Sequence, residues 1–410
     1  MGGERYVVVS SDSHVGPPIE HFRPYCPTSH LEAFDAYADE RRLAKAGAGM
    51  TRFNLHATPV TTRHYERIEA LESLHDPQAF LRDLDAQGIA ATLLFAGGGN
   101  DDILPWGVGP GAGSTSIDID TRHLGQHLWN RWLADFVSVA PERLIGVAQQ
   151  PMTDLDRAIE EIQWAEEHGL GAINFPAPRP DYPSYNDPVY DRFWSAVEEV
   201  DLPLVCHGGG GHLPWYSGPG SYQLFSSEMS WYSRRGFSQM VFGGVFDRHP
   251  RLRVGFTEQR GGWIAHDLKN LDSCYLDPQR TFVDNPERLP SEYWRSNCFI
   301  GASFMARFEA EVRHEIGIET ITWGSDYPHV EGTWPHTDLA LRNTFWGYPE
   351  DEVRQMLGTN AVRLYSLDEG ALRSIADRIG PRPADVDRPL APDEVPEKVG
   401  LSFRTIGDWA

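Results

Sequence analysis

Six ionisable residues stand at or just after the ends of short apolar runs: Asp12 and His14 after YVVVSS, His207 closing LPLVCH, Glu258 after LRVGFT, and Asp326 with His329 after ITWGS. Runs of that length and composition read as buried strands. Where such strands are parallel and close on themselves, their C-terminal ends meet on one face. Three carboxylates and three imidazoles gathered there make a metal site, and an oxygen-rich set suits redox-active iron at least as well as zinc. Asp12 and His14 are two apart in an extended segment, so they share a face and can chelate one ion. His207 opens HGGGGH, whose glycines let the backbone approach a ligand closely. His212 has already left the strand and is only a substrate-side or second-metal candidate. Turn chemistry alone accounts for an aspartate before Tyr-Pro. It does not account for polar groups at so many strand ends.

The elements that must position these residues alternate regularly. After the first strand, residues 15 to about 85 delay the second, and are expected to form an insertion over the mouth of the barrel. IAATLLFAGGG, RLIGVAQQ, LGAINFP, LPLVCH, LRVGFTE, NCFIGAS and ITWGSD supply seven more strands, with amphipathic helical segments such as DLDRAIEEIQWAEEHG between them. Eight strands alternating with helices predict a (β/α)8 barrel, an α/β fold, over residues 1–380. Residues 381–410, rich in Pro, Asp and Arg, are expected to form an extended C-terminal arm.

With 410 residues, 40% of them hydrophobic, the chain can bury one large barrel core. A net charge of −23 with no basic stripe excludes nucleic acid as a partner. No apolar stretch reaches the length of a membrane span, and MGGERYVVVSS lacks the regions of a signal peptide, so a cytoplasmic location is expected. The four cysteines include no CxxC pair, which argues against a thiolate zinc site. Alternation turns Cys206 away from the face used by His207. Trp215, Tyr216, Trp231 and Tyr232 are candidates for lining an apolar substrate pocket, with plain packing as the equal alternative. Arg234, Arg235 and Arg260 are candidate anion contacts.

SSDSHVGPP, DPVYDRFWSAVEEVDLPLVCHGG, FGGVFDRHPRLRVGFTE, TWGSDYPHVEGTWP and GTNAVRLY, in this order along nearly the whole chain, resemble the amidohydrolase-2 branch of the metal-dependent amidohydrolases. That branch includes aminocarboxymuconate-semialdehyde and resorcylate decarboxylases. The resemblance implies a TIM barrel in which Asp12 and His14 take the H-x-H position, His207 the strand-five histidine and Asp326 the strand-eight aspartate. Asp12 replaces the first histidine of the usual pair. Asn174 stands where dinuclear hydrolases carry a lysine, and Glu258 where the strand-six histidine is usual.

The SSDSHVGPP opening also resembles a TIM-barrel branch of non-haem di-iron monooxygenases, represented by the C-5 hydroxylase of platensimycin and platencin biosynthesis. This second resemblance implies a metal-dependent oxidoreductase of antibiotic biosynthesis with two Fe ions and dioxygen as co-substrate, hydroxylating a C–H bond. Asp12, His14, His207 and Asp326 would hold one iron. Glu258 and His329 would serve the second and act as catalytic groups, and Trp215, Tyr216, Trp231 and Arg234 would bind the substrate. A small-molecule substrate, including a coenzyme A thioester, an external electron donor and a homodimer are the partners it implies. The alternative expectation is a mononuclear Zn or Mn hydrolase or non-oxidative decarboxylase, with Glu258 or His329 as acid or base.

Overall fold

The computed structural model describes residues 4–47, 66–98, 104–107, 117–180, 182–210, 216–277, 286–396 and 403. Every apolar run named above is a strand, and every strand pairing is parallel: β1 (Val9–Ser10), β2 (His14–Val15), β3 (Ala91–Ala96), β4 (Leu144–Ala148), β5 (Ala172–Asn174), β6 (Leu204–His207), β7 (Val254–Thr257), β8 (Cys298–Ser303) and β9 (Ile321–Gly324). The order is β1-β3-β4-β5-β6-β7-β8-β9, with β2 also paired to β3. β1 and β2 are thus two halves of one barrel position. The seam closes through Ser11 N to Trp323 O at 2.8 Å and Asp326 N to Asp12 O at 3.0 Å. The fold is the expected eight-position parallel barrel.

The break between β1 and β2 follows from the serines of SSDS. Ser10 Oγ donates to the Asp12 carbonyl at 2.6 Å, Ser13 Oγ to the same carbonyl at 2.8 Å, and Ser11 Oγ to Trp323 O at 3.0 Å. Hydroxyls that bond the nearby backbone compete with a regular ladder. The helices begin where short acidic side chains meet free N–H groups. Asp76 accepts from Gln78 and Ala79 at the start of the Pro77–Gln87 helix, and Asp154 from Asp156 and Arg157 at the start of the Leu155–Glu167 helix.

Val9, Leu93, Ile145, Val147, Ala172, Val205 and Phe299 fill the barrel interior, closed off by Ala361, Leu364 and Tyr365 from the C-terminal helical region. The Phe299 ring occupies the space beside Gly255, where an added Cβ would stand 2.4 Å from Cε2. Gly255→Ala is therefore expected to overpack the barrel and cost about 1–3 kcal/mol. Urea denaturation reads this directly, and an unchanged midpoint would count against the packing described.

Of the insertion, the Leu31–Gly47 helix and the turn Ile19–Tyr25 lie outside the ring. Phe22 meets Trp129 and Trp132, and Tyr25 Oη donates to Asp135 on the Ile119–Val137 helix. Glu72–Leu74 lies at the strand ends, where Leu74 O accepts from Gly16 N at 3.0 Å and Ser73 Oγ bonds Tyr327 Oη at 2.8 Å. Residues 48–65 fall outside the described residues. Residues 381–396 fold back on the barrel. Pro381 O accepts from Tyr6 N, and the buried Arg342 bonds Glu394 and the Arg388 and Pro389 carbonyls. Among the described residues no helix is long and apolar enough to cross a membrane.

Candidate metal centre and the cavity beside it

Asp12, His14, His207, Glu258, Asp326 and His329 come together at the C-terminal ends of the strands. His14 Nε2 is 3.3 Å from Asp12 Oδ1 and 3.3 Å from Asp326 Oδ1. His207 Nε2 is 3.5 Å from Asp12 Oδ1, and His329 Nδ1 is 2.9 Å from Asp326 Oδ1. Glu258 Oε2 lies 3.3 Å from His207 Nδ1. The His14 and His329 rings stack with centroids 3.9 Å apart. Asp12 and Asp326 are fully buried.

The histidine tautomers follow from the backbone around them. His14 Nδ1 donates to Ala96 O, His329 Nε2 to Gly97 O and His207 Nδ1 to Gly208 O, each at 2.8 Å. A carbonyl only accepts, so each ring spends its proton there. The other nitrogens, His14 Nε2, His207 Nε2 and His329 Nδ1, are then lone pairs facing carboxylate oxygens. Asp12 Oδ1 and both Asp326 oxygens receive no hydrogen bond, and nor do those three nitrogens. Lone pairs confronting lone pairs in a buried site require a cation between them, whether protons or a metal ion. Carbonyl partners on the far side of metal-binding imidazoles are the usual orienting arrangement.

The remaining geometry serves the same cluster. Gly324 lies beside Asp12, so close that an added Cβ would stand 3.0 Å from the Asp12 Cβ. Ser303 Oγ donates to Asp12 Oδ2 at 2.5 Å, fixing the carboxylate so that Oδ1 faces the histidines. Glu258 and Asp326 both leave their strands in the left-handed region, at φ 55° and 56°. Strained positions of this kind concentrate at functional sites. Ser303→Ala is expected to weaken metal binding about 10–100-fold, as loss of an orienting partner does elsewhere. Competition with a chelator measures it, and an unchanged affinity would remove Ser303 from this role.

Charge in the cluster is mutually supported. Burial alone would raise Asp12, but His207 and His14 hold it well below the usual carboxylate range. Burial lowers His207, yet Glu258 and Asp12 bring it up to about 9; His329, against the same opposition, is raised to about 10, chiefly by Asp326. Burial pushes Glu258 well above its ordinary value, opposed by His207 and reinforced by Asp326 and Asp12. Glu331, which the sequence reading missed, is a fourth carboxylate here. It groups with Glu258, Asp326 and His329 within 4.8 Å, and its only sequence signal is a place two residues beyond His329.

A cavity of about 290 Å³ opens beside His207 and Gly208. Its walls come from Leu104, Trp106 and Met152 and from the polar residues Arg122, Gln126, Gln149, Gln150, Asn174 and Arg179. Of the aromatic residues expected to line a pocket, the described ones, Tyr216, Trp231 and Tyr232, are not among the residues that line this cavity. Tyr216 Oη donates to Glu228 at 2.7 Å, Trp231 is 48% exposed, and Tyr232 packs edge-on against Trp231. Arg234 pairs with Asp267 at 3.0 Å over the Trp263 ring, and Arg235 donates to Pro178 O. Trp215 and His212 lie outside the described residues. Cys206 is buried and faces Ser233 O.

A family model described as "Amidohydrolase" matches residues 110–367. A gamma-resorcylate decarboxylase from Rhizobium sp. (strain MTP-10005) is 28% identical over 268 residues, spanning 58% of this chain and 75% of that protein. A 2-amino-3-carboxymuconate-6-semialdehyde decarboxylase from Dictyostelium discoideum is 25% identical over 262 residues, covering 61% and 68%. Among solved structures, the 5-carboxyvanillate decarboxylase of Novosphingobium aromaticivorans, complexed with manganese and 4-hydroxy-3-methoxy-5-nitrobenzoic acid, superposes with a TM-score of 0.65. It is 19% identical, and the match covers 90% of this chain and 98% of that one.

These relatives correct the di-iron reading. They are named as decarboxylases, not oxidoreductases, so the monooxygenase, its two Fe ions, its dioxygen and its place in antibiotic biosynthesis are all set aside. The physical reason is electron bookkeeping. In the reaction those relatives are named for, losing CO2 and gaining a proton at the same carbon leaves the electron count unchanged, so that reaction calls for neither a redox metal nor an electron donor. Asp12 and Glu258, whose departure from the usual histidines suggested iron, offer ligands that manganese or zinc takes equally well. The coenzyme A-linked substrate goes with the discarded branch.

Proposed function

This chain belongs to the amidohydrolase family, and from that membership we propose that it is a mononuclear metal-dependent carboxy-lyase acting on a small carboxylic acid. The observation that carries the reading is the ring of buried lone pairs on Asp12 Oδ1, His14 Nε2, His207 Nε2 and Asp326, which receive no hydrogen bond. Those four residues would hold one divalent ion, manganese or zinc. The ion, when bound, supplies a Lewis acid that binds and polarises the substrate's oxygens.

The chain's own groups do the rest. Glu258, beside His207, holds the proton that goes to the substrate carbon as its bond to the carboxyl carbon breaks and CO2 leaves. Burial opposes charge on His329, but Asp326 raises it to about 10, so with Nε2 on the Gly97 carbonyl its Nδ1 carries the proton that keeps the Asp326 carboxylate in place. Leu104, Trp106 and Met152 give the carbon skeleton an apolar wall, and the cavity's size suits one aromatic ring with its substituents.

Metal analysis tests the ligand set. Protein loaded with manganese and freed of excess is expected to retain one ion per chain. Two ions per chain, or none, would overturn the proposal.

A further inference from the structure

The cavity has a polar wall that the metal centre does not use. It is built just past β4, where Gln149 and Gln150 follow the strand. Two residues four apart on the Ile119–Val137 helix, and so on one face of it, clamp this stretch of backbone. Gln126 Nε2 donates to Gln150 O at 3.0 Å. Asn130 Nδ2 donates to Gln149 O at 3.0 Å, and Asn130 Oδ1 accepts from Gln149 N at 2.7 Å. Asn130 is itself braced by Glu161 Oε2 at 2.8 Å. The Gln149 side chain is occupied as well, its Oε1 accepting from Asn174 Nδ2 at 2.8 Å.

Gln150 differs from its neighbours. It is 2% exposed, lines the cavity, and neither its Nε2 nor its Oε1 has a hydrogen-bond partner. Gln126 Oε1 is in the same condition. A buried amide on clamped backbone, with its donor and its acceptor both unmet, is suited to a group that can meet both. A hydroxyl accepts from Nε2 and donates to Oε1. A carboxylate only accepts, which leaves both amide oxygens unmet, and an alkyl group meets none of the three atoms.

We propose that Gln150 is a specificity-determining residue that binds a hydroxyl of the substrate distinct from the reacting carboxyl group. The inference rests on the carboxy-lyase reading and narrows its substrate to a hydroxylated acid. Sites built around a substrate hydroxyl reject the analogue that lacks it, because the buried polar groups are then left unpaired.

The test is calorimetric titration of the manganese-loaded protein with benzoate, 3-hydroxybenzoate and 4-hydroxybenzoate. The 2-isomer is left out because its hydroxyl, adjacent to the carboxylate, can chelate the ion itself. At least one hydroxylated acid is expected to bind about tenfold or more tighter than benzoate. Gln150→Leu is expected to erase that preference while leaving the benzoate Kd within about threefold, since an alkyl chain makes no demand on the ring. Equal affinity of the wild-type protein for all three acids overturns the assignment, and that comparison does not depend on how the variant folds. So does a uniform weakening by Gln150→Leu, the signature of a purely structural role. Metal content of the same samples separates the two levels. One manganese per chain without discrimination sinks the Gln150 assignment alone, whereas no bound manganese sinks the carboxy-lyase reading together with it.

Discussion

Asp12→Ala is expected to strip the protein of its metal and, with it, of its activity. Asp12 Oδ1 faces two imidazole nitrogens, His14 Nε2 at 3.3 Å and His207 Nε2 at 3.5 Å, and its other oxygen is tied to Ser303. Without that carboxylate, a cation between the histidines loses the anionic oxygen that links the β2 and β6 sides of the site. Removing a ligand should exceed the roughly 10–100-fold loss of affinity that follows removal of a group that merely orients one. Asp12→Asn separates chemistry from packing. It keeps the volume but adds a donor and removes the charge, so it too should emerge from gel filtration without manganese. Circular dichroism on both variants confirms that the barrel stands. A metal-loaded Asp12→Asn protein with normal turnover would show that Asp12 only packs.

Glu258→Gln is expected to leave one manganese per chain and to lower kcat by about 10²–10⁴, the range for removal of a general acid or base. The amide fills the same space beside His207 but cannot deliver a proton to carbon. Metal content and kcat, measured on one preparation, make the result decisive. Loss of metal in step with activity would mean that Glu258 is a ligand, and unchanged kcat would remove it from the chemistry.

Much of this molecule could be read from its sequence because parallel strands buried on both faces are nearly continuous apolar runs. Each of the eight runs is a strand, and Asp12, His14, His207, Glu258, Asp326 and His329 converge because their places at strand ends leave them one face to occupy. The break between β1 and β2 was less visible, since serines that bond the backbone look like ordinary strand polar residues until their partners are known. The cavity wall was hidden for a different reason. Gln126, Asn130, Gln149 and Gln150 resemble solvated surface residues in one dimension, and only the packing of the Ile119–Val137 helix on β4 brings them together. Arg234 and Trp231 drew notice by type, yet a salt bridge to Asp267 and an exposed helix face are what the fold gives them.

The metal's identity had the weakest sequence signal. Carboxylate and imidazole serve iron, manganese and zinc alike, so the ligand list by itself admitted oxygen chemistry. The decarboxylase names of the relatives decide against it.

CO2 release under argon separates decarboxylation from oxygen chemistry in one measurement. Manganese-loaded protein is mixed anaerobically with a panel of hydroxybenzoic acids, and evolved CO2 and the decarboxylated phenol are quantified together. Equimolar CO2 and phenol are expected from at least one acid, at a rate that admitting air does not raise. Product that forms only when oxygen is admitted, with oxygen consumed in step, would contradict the carboxy-lyase reading.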